Sequence, residues 1–201
     1  MYLITDRTLF ADVLCLYSAV EEALKGGAKA VQLREKDLPV RQLLTMAYTM
    51  RRLTSDYHAA LYINDRVDVA IAVEADGVHL GLNSVPVSAA KKASGDRLLV
   101  GVSTHSFSEA VKAEKDGTDF ITFGPVYPTP SKLRYGPPVG TDALREVCSG
   151  VTVPVFAIGG ITPERTAEVK SAGARGVAVI SALLGAHDRE KTTERFLRYL
   201  Q

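Results

Sequence analysis

What this chain has little of already narrows its reading. Its 201 residues carry a formal net charge of only +1, without the basic excess that marks a nucleic-acid-binding protein. No apolar run reaches membrane length and no N-terminal signal pattern is visible, so no membrane contact and a cytoplasmic setting are expected. Cysteine is scarce: Cys15 and Cys148 stand far apart, in no metal-ligand spacing. Both are expected to pack as small hydrophobes in a reducing compartment, and neither lies where a strand would present a nucleophile. Linkers, low-complexity stretches and composition shifts are absent too, so residues 1–201 are expected to form one domain. What remains is 46% hydrophobic and 23% charged, the make-up of an ordinary globular chain with a sizeable core.

The organising stretch lies near the C-terminal end. Val153-Pro154-Val155-Phe156-Ala157-Ile158 and Gly176-Val177-Ala178-Val179-Ile180 are short, β-branched apolar runs, too short for helices, and read as buried strands. The first ends in Gly159-Gly160, which permits backbone angles closed to other residues and a close approach to a ligand. Thr162 can then cap a helix, with Pro163 at its first position and Glu164 in its first turn. A glycine turn feeding a helix N-terminus offers free N–H groups to a phosphate, and Ser181 after the second run could complete the cup. Loops after strands 7 and 8 commonly hold phosphate in (β/α)8 barrels, a fold that starts at about 200 residues.

Six earlier strands are required, and six are found. They are Tyr2–Thr5, Ala30–Arg34, Ala60–Ile63, Gly77–Leu80, Leu98–Val102 and Phe120–Phe123. Helical periodicity separates them over Ala11–Lys25, Pro39–Leu53, Val67–Val73, Pro86–Ala93, Ser108–Asp116 and Thr141–Cys148, with a last helix over Asp188–Leu200. Strict alternation predicts parallel strands and right-handed crossovers. Eight units in so short a chain predict a single closed (β/α)8 TIM barrel. The irregular stretch Gly124–Gly140 is the expected active-site flap.

Polar residues collect where the strands end. Gln32, Arg34 and Lys36 follow strand two, Asn64 and Asp65 strand three, Ser103 and His105 strand five, and Thr129, Ser131 and Lys132 strand six. All fall at the C-terminal rim, where barrels of this kind build their sites. An extended Gln-x-Arg-x-Lys points its three polar side chains to one side. Beside the phosphate cup this suits a multiply charged anion, and Asp65 among the cations suggests a bridging Mg2+. Other polar residues read as structural. His79 sits between apolar neighbours as a core or rim histidine, His58 and His187 face solvent, and Glu35, Arg66, Asp68 and Asp76 pair or cap. The segment Arg189–Arg195 is a solvated helix face.

Several tracts together carry a resemblance: Gln32-Leu33-Arg34-Glu35-Lys36, Ile63-Asn64-Asp65-Arg66-Val67-Asp68, Ala75-Asp76-Gly77-Val78-His79-Leu80-Gly81, Gly101-Val102-Ser103, Phe123-Gly124-Pro125-Val126-Tyr127-Pro128-Thr129 and Ala157-Ile158-Gly159-Gly160-Ile161-Thr162. Over essentially its whole length the chain resembles the thiamine phosphate synthases, a superfamily that also contains the TenI-type thiazole tautomerases. The resemblance implies a transferase of thiamine biosynthesis that joins a hydroxymethylpyrimidine diphosphate to a thiazole phosphate and releases pyrophosphate. It implies that Arg34, Lys36 and Lys132 hold the pyrophosphate with Mg2+ at Asp65, while Thr129 and Ser131 fix the substrates. Gln32 and Asn64 would contact the pyrimidine diphosphate, Ser103 would lie near the reacting centre, and Gly160, Ile180 and Ser181 would form the thiazole-phosphate cup.

One departure stands out. After His79-Leu80-Gly81 the synthases carry Gln-x-Asp, whose aspartate is a second metal carboxylate; here Leu82-Asn83-Ser84 leaves a hydroxyl, which should weaken Mg2+ binding. Two alternatives stay open. A metal-free tautomerase would use His105 as general base, and a non-catalytic binder of phosphorylated metabolites would act as a regulator. The two enzyme readings take small-molecule partners, the regulator a phosphorylated metabolite or a protein, and a homodimer is possible.

Overall fold

The structure, a computed structural model, describes residues 1–129 and 137–200. Each apolar run becomes a strand: β1 Tyr2–Ile4, β2 Ala30–Leu33, β3 Ala60–Asn64, β4 Gly77–Leu80, β5 Leu99–Thr104, β6 Phe120–Phe123, β7 Val155–Ile158 and β8 Gly176–Val179. All pair in parallel in chain order. The ring closes between β8 and β1, with Leu3 opposite Val179, so the sheet has no exposed edge. The expected (β/α)8 barrel is the observed fold.

Around it lie α1 Val13–Lys25, α2 Val40–Asp56, α3 Val67–Ala72, α4 Val87–Ser94, α5 Phe107–Lys115, α6 Gly140–Gly150, α7 Pro163–Ser171, α8 Ser181–Leu184 and α9 Arg189–Arg198. Helix α1 shows why: Leu16, Ala19, Val20, Ala23 and Leu24 recur at helical spacing and are buried against the sheet. Asp12 starts it by accepting the N–H of Cys15 at 2.9 Å. Gly26 ends it because α9 crosses there; a side chain on Gly26 would lie 2.7 Å from Cβ of Thr193.

Some local expectations fail. A 3-10 turn, Arg7–Leu9, delays α1 by two residues, and α8 follows β8 where only a loop was foreseen. Cys15 is exposed rather than packed, because it sits in the first turn of α1 on the face away from the sheet, and Cys148 is half-buried. Arg189 is not solvated: it crosses to Glu22 at 3.1 Å and to the carbonyl of Leu184 at 2.9 Å, tying α9 to α1. Thr162 does hold the cap position of α7, with Pro163 in its first turn as expected, but its hydroxyl makes no capping hydrogen bond.

The barrel has two apolar layers. The larger lies between sheet and helices. The smaller fills the lumen, where Tyr2, Tyr62, Phe120 and Phe156 meet edge to face, with Tyr2–Tyr62 and Tyr62–Phe120 centroids 5.3 Å apart. Two glycines make room for these rings. A Cβ on Gly77 would sit 2.5 Å from the Tyr62 ring, and one on Gly101 would overlap Phe120. This aromatic floor sets the depth of the mouth above it.

Candidate active site

Register decides what stands on that floor. Asn64 pairs with His79, Ser103 with Thr122, and Gln32 with Tyr62, so the inward positions of β2 to β6 form a polar tier above the rings. Gln32 is buried and its Nε2 donates to the Tyr2 hydroxyl at 3.0 Å. That hydroxyl faces Nδ1 of His79 at 3.4 Å, and Nε2 of His79 faces Ser103 Oγ at 3.0 Å. Thr122 closes the group, 3.4 Å from both His79 and Ser103. In the neutral tautomer protonated on Nε2 the chain of bonds runs Gln32 to Tyr2, Tyr2 to Nδ1, Nε2–H to Ser103. The hydrogen on Ser103 is then left to donate into the mouth.

The imidazole is neutral. His79 is pushed down to about 3, chiefly by burial; Asp65 pulls the other way, and Arg34 and Lys36 push it further down. Arg34 and Lys36 follow the end of β2 and Asp65 follows the end of β3, and these two strands are paired neighbours in the ring. Tyr2 is buried below them and its phenol is raised well above its ordinary range by that burial.

Asp65 is held in an unusual way. It has φ of 60°, in the left-handed region that a non-glycine residue rarely occupies. Its N–H reaches the His79 carbonyl at 2.9 Å, while its carboxylate accepts from Asn64 Nδ2 at 2.7 Å and from the Ser84 hydroxyl. Ser84 in turn accepts the N–H of Gly81 at 2.6 Å. The hydroxyl that replaces the expected second carboxylate therefore lies directly on the first. Among the described residues, no cluster of three or more His, Cys, Asp or Glu side chains could hold a metal.

The Gln-x-Arg-x-Lys alternation holds only in part. Gln32 lies in the lumen and Arg34 at the rim, half-buried, with its N–H on Thr5 Oγ1 at 2.9 Å. Lys36 is exposed, because the chain leaves the extended form there and turns. Glu35 points the other way, as expected: it is buried, accepts from Thr5 Oγ1 at 2.6 Å and from the N–H of Arg7, and burial raises it above the usual carboxylate range. His105 is half-buried at the end of β5, where Nδ1 meets the carbonyl of Gly124 and its N–H reaches Glu109 at 2.7 Å. His58 and His187 are exposed, and Arg66 pairs with Asp68 and Arg51 with Asp76.

The opposite side of the mouth is backbone. Gly159 and Gly160 have φ of 97° and 64°, and side chains there would meet Cβ of Pro125 at 2.5 Å and the carbonyl of Pro128 at 2.6 Å. Among the described residues, no acceptor is found for the N–H groups of Gly159, Gly160, Ile161 or Ser181. Ile180 and Ser181 follow β8, whose Ala178 pairs with Ile158, so they stand beside the glycine turn. Thr129 comes two residues after Tyr127, whose N–H bonds the Gly159 carbonyl at 3.0 Å. Ser131 and Lys132 lie outside the described residues.

Sequence reasoning missed Tyr2 and underrated His79. Tyr2 gave no signal, being an aromatic in an apolar strand; His79 was legible as buried, but not as the support of Ser103. Fold and mouth together define a (β/α)8 barrel of the enzyme type, with a glycine turn on one side of the mouth and hydroxyl-bearing and charged side chains at other strand ends.

Comparison with known proteins narrows that class. Residues 1–183 match the family model described as thiamine monophosphate synthase. A putative thiamine-phosphate synthase of Geobacter sulfurreducens is 50% identical over 200 residues, covering 100% of this chain and 93% of the relative. The thiamine-phosphate synthase of Pyrococcus furiosus is 42% identical, covering 100% and 94%. A solved thiamine phosphate pyrophosphorylase from Pyrococcus furiosus superposes with a TM-score of 0.90 over 99% of this chain and 94% of its own. The chain belongs to the thiamine monophosphate synthase family.

Proposed function

We propose that this chain is the transferase that joins a hydroxymethylpyrimidine diphosphate to a thiazole phosphate, giving thiamine phosphate and pyrophosphate. What supports the proposal is the pair of features at the C-terminal end of one barrel: the amides of Gly159–Ile161, without acceptors among the described residues, after β7, and Arg34, Lys36 and Asp65 after the neighbouring strands β2 and β3. The C–O bond to the diphosphate breaks, the electron pair leaves with it, and the pyrimidine-stabilised cation is captured by the lone pair of the thiazole nitrogen. Little proton transfer is needed. What the protein supplies is alignment of two substrates and neutralisation of the leaving group.

In this reading Arg34 and Lys36 hold the diphosphate, joined by Lys132 on the strength of the family resemblance. Thr129 and Ser131 fix the substrates, and Gln32 and Asn64 meet the pyrimidine diphosphate. Ser103, oriented by His79, donates its free hydrogen near the reacting carbon. Gly160, Ile180 and Ser181 take the thiazole phosphate. Asp65, Ser84 and Asn64 offer hard oxygen donors with a single carboxylate, which fits an Mg2+ completed by diphosphate oxygens rather than one caged by protein. Bound there, the ion would neutralise the departing diphosphate. The chemistry uses small molecules only and is assigned to the cytoplasm.

The runner-up, a tautomerase with His105 as base, is not weakened by the contact of Nδ1 with the Gly124 carbonyl, which leaves Nε2 without a partner among the described residues; it is set aside because the relatives at 42–50% identity over the whole chain are thiamine-phosphate synthases. The test is an assay of purified chain with both substrates. Thiamine phosphate and pyrophosphate should appear in equal amounts with Mg2+ and disappear with a chelator. Isomerisation of a thiazole carboxylate phosphate in chelator, without thiamine phosphate in either condition, would refute the proposal.

A further inference from the structure

Behind the glycine turn lies a set of contacts that the reaction as described does not use. Arg165, in the first turn of α7, sends Nη1 back to the carbonyl of Gly160 at 2.6 Å. Its guanidinium also lies over the Tyr127 ring, 4.5 Å from the centroid. The Tyr127 hydroxyl donates to Glu168 Oε2 at 2.7 Å, one turn further along α7, and Thr141 at the start of α6 reaches Oε1 of Glu168 at 3.4 Å. Arg165 and Glu168 are three apart and share a helix face, so α7 grips one tyrosine by ring and by hydroxyl.

The same tyrosine belongs to the segment leaving β6. Val126 donates to the Ile158 carbonyl at 2.9 Å and Tyr127 to that of Gly159 at 3.0 Å. On the return side, Val139 donates to Pro125 at 2.8 Å and Gly140 to Val126 at 3.2 Å. Both stems of the β6–α6 connection are therefore bonded to each other, and the outgoing stem is bonded to the turn that forms the amide cup. Burial first, and Glu168 second, push the Tyr127 phenol up to about 12, so its hydroxyl stays a donor throughout the working pH range.

A trans peptide points its C=O and N–H in opposite directions. The charge-assisted bond from Arg165 pulls the Gly160 carbonyl outward, which turns the Ile161 N–H inward. Glycine at φ of 64° has no side chain to prevent the peptide from rotating; the guanidinium does that instead.

We propose that Arg165 is a positioning residue that locks the Gly160–Ile161 peptide with its N–H toward the thiazole phosphate, and that Tyr127 and Glu168 lock Arg165. The proposal rests on the reading of that turn as the phosphate cup. Arg165 is exposed, so its replacement leaves the core intact.

The test compares wild type, Arg165→Met and Arg165→Lys in two-substrate kinetics and in calorimetric titration with the thiazole phosphate. Arg165→Met should raise KM and Kd for the thiazole phosphate about tenfold, or about 1.4 kcal/mol. Its KM for the pyrimidine diphosphate should stay within about twofold and its kcat within about threefold of wild type, each worth less than about 0.7 kcal/mol. Arg165→Lys, which can still reach the carbonyl, should recover most of the loss. A KM for the thiazole phosphate unchanged in Arg165→Met, or both substrates weakened alike, overturns the clasp while leaving the cup in place. No saturable binding of thiazole phosphate by the wild-type chain overturns the cup and the clasp together.

Discussion

The two sides of the barrel mouth are built by different means. At β7 and β8 the donors are main-chain amides, fixed by glycines whose φ angles and close neighbours admit no side chain. At β2 to β5 the groups are side chains, and their aim depends on a buried relay from Gln32 through Tyr2 and His79 to Ser103. A turn of amides is specified mainly by its own backbone, with Arg165 on the Gly160 carbonyl as its side-chain support. A side-chain rim is specified by distant residues, and it can be retuned by single substitutions, as Ser84 shows.

Breaking the backbone side should have the largest effect. Gly160→Ala places a Cβ 2.6 Å from the Pro128 carbonyl, at a φ that alanine resists. Strain and displacement together should weaken thiazole-phosphate binding by about a hundredfold, or about 2.7 kcal/mol. Titration of the variant checks this; wild-type affinity would mean the phosphate binds elsewhere.

Breaking the relay should show in acid. His79 is neutral when folded, with its value near 3, whereas an unfolded histidine protonates near 6.5. Below pH 6.5 the unfolded chain binds the extra proton, so stability falls as pH drops, by up to about 1.4 kcal/mol per pH unit until the folded group titrates near 3. Buried Glu35, raised rather than lowered, takes up its proton more readily when folded and offsets part of this below its own range. Urea midpoints at pH 7 and pH 5 should differ by less in His79→Gln than in wild type. Equal pH slopes would show that His79 is not held neutral.

The rim can also be sharpened. Ser84→Asp sets a second carboxylate against Asp65. Like charges should lower the thermal midpoint without metal, and Mg2+ should restore it, with metal bound about tenfold tighter, or about 1.4 kcal/mol. Wild type should show no comparable Mg2+ response until diphosphate is added. An Mg2+ response identical in the two would put the metal away from Asp65.

How much of this was legible beforehand divides along the same line. The β-branched runs announced the barrel, and the glycine pair and Pro163 announced the left-handed turn into α7, because each acts through its own backbone. That Arg34, Lys36 and Asp65 follow strand ends was legible, since each comes directly after an apolar run. Their supports were not. Nothing in Tyr2 as a residue reveals that it lies under His79, a contact made only when β1 closes on β8. Lys36 was placed by an alternation that the chain abandons at the turn, and Arg165 was hidden among ordinary helix charges. Cys15 misled because its burial was inferred from residue type rather than from its place in the first turn of α1.

The central claim is that one mouth holds both anions at once. A crystal structure of the chain with thiazole phosphate, pyrophosphate and Mg2+ tests it most directly. The account requires the thiazole phosphate on the amides of Gly160 and Ile161, with pyrophosphate and the metal between Arg34 and Asp65 in the same opening. Ligands on separate faces, or a phosphate that leaves the glycine turn untouched, would contradict it.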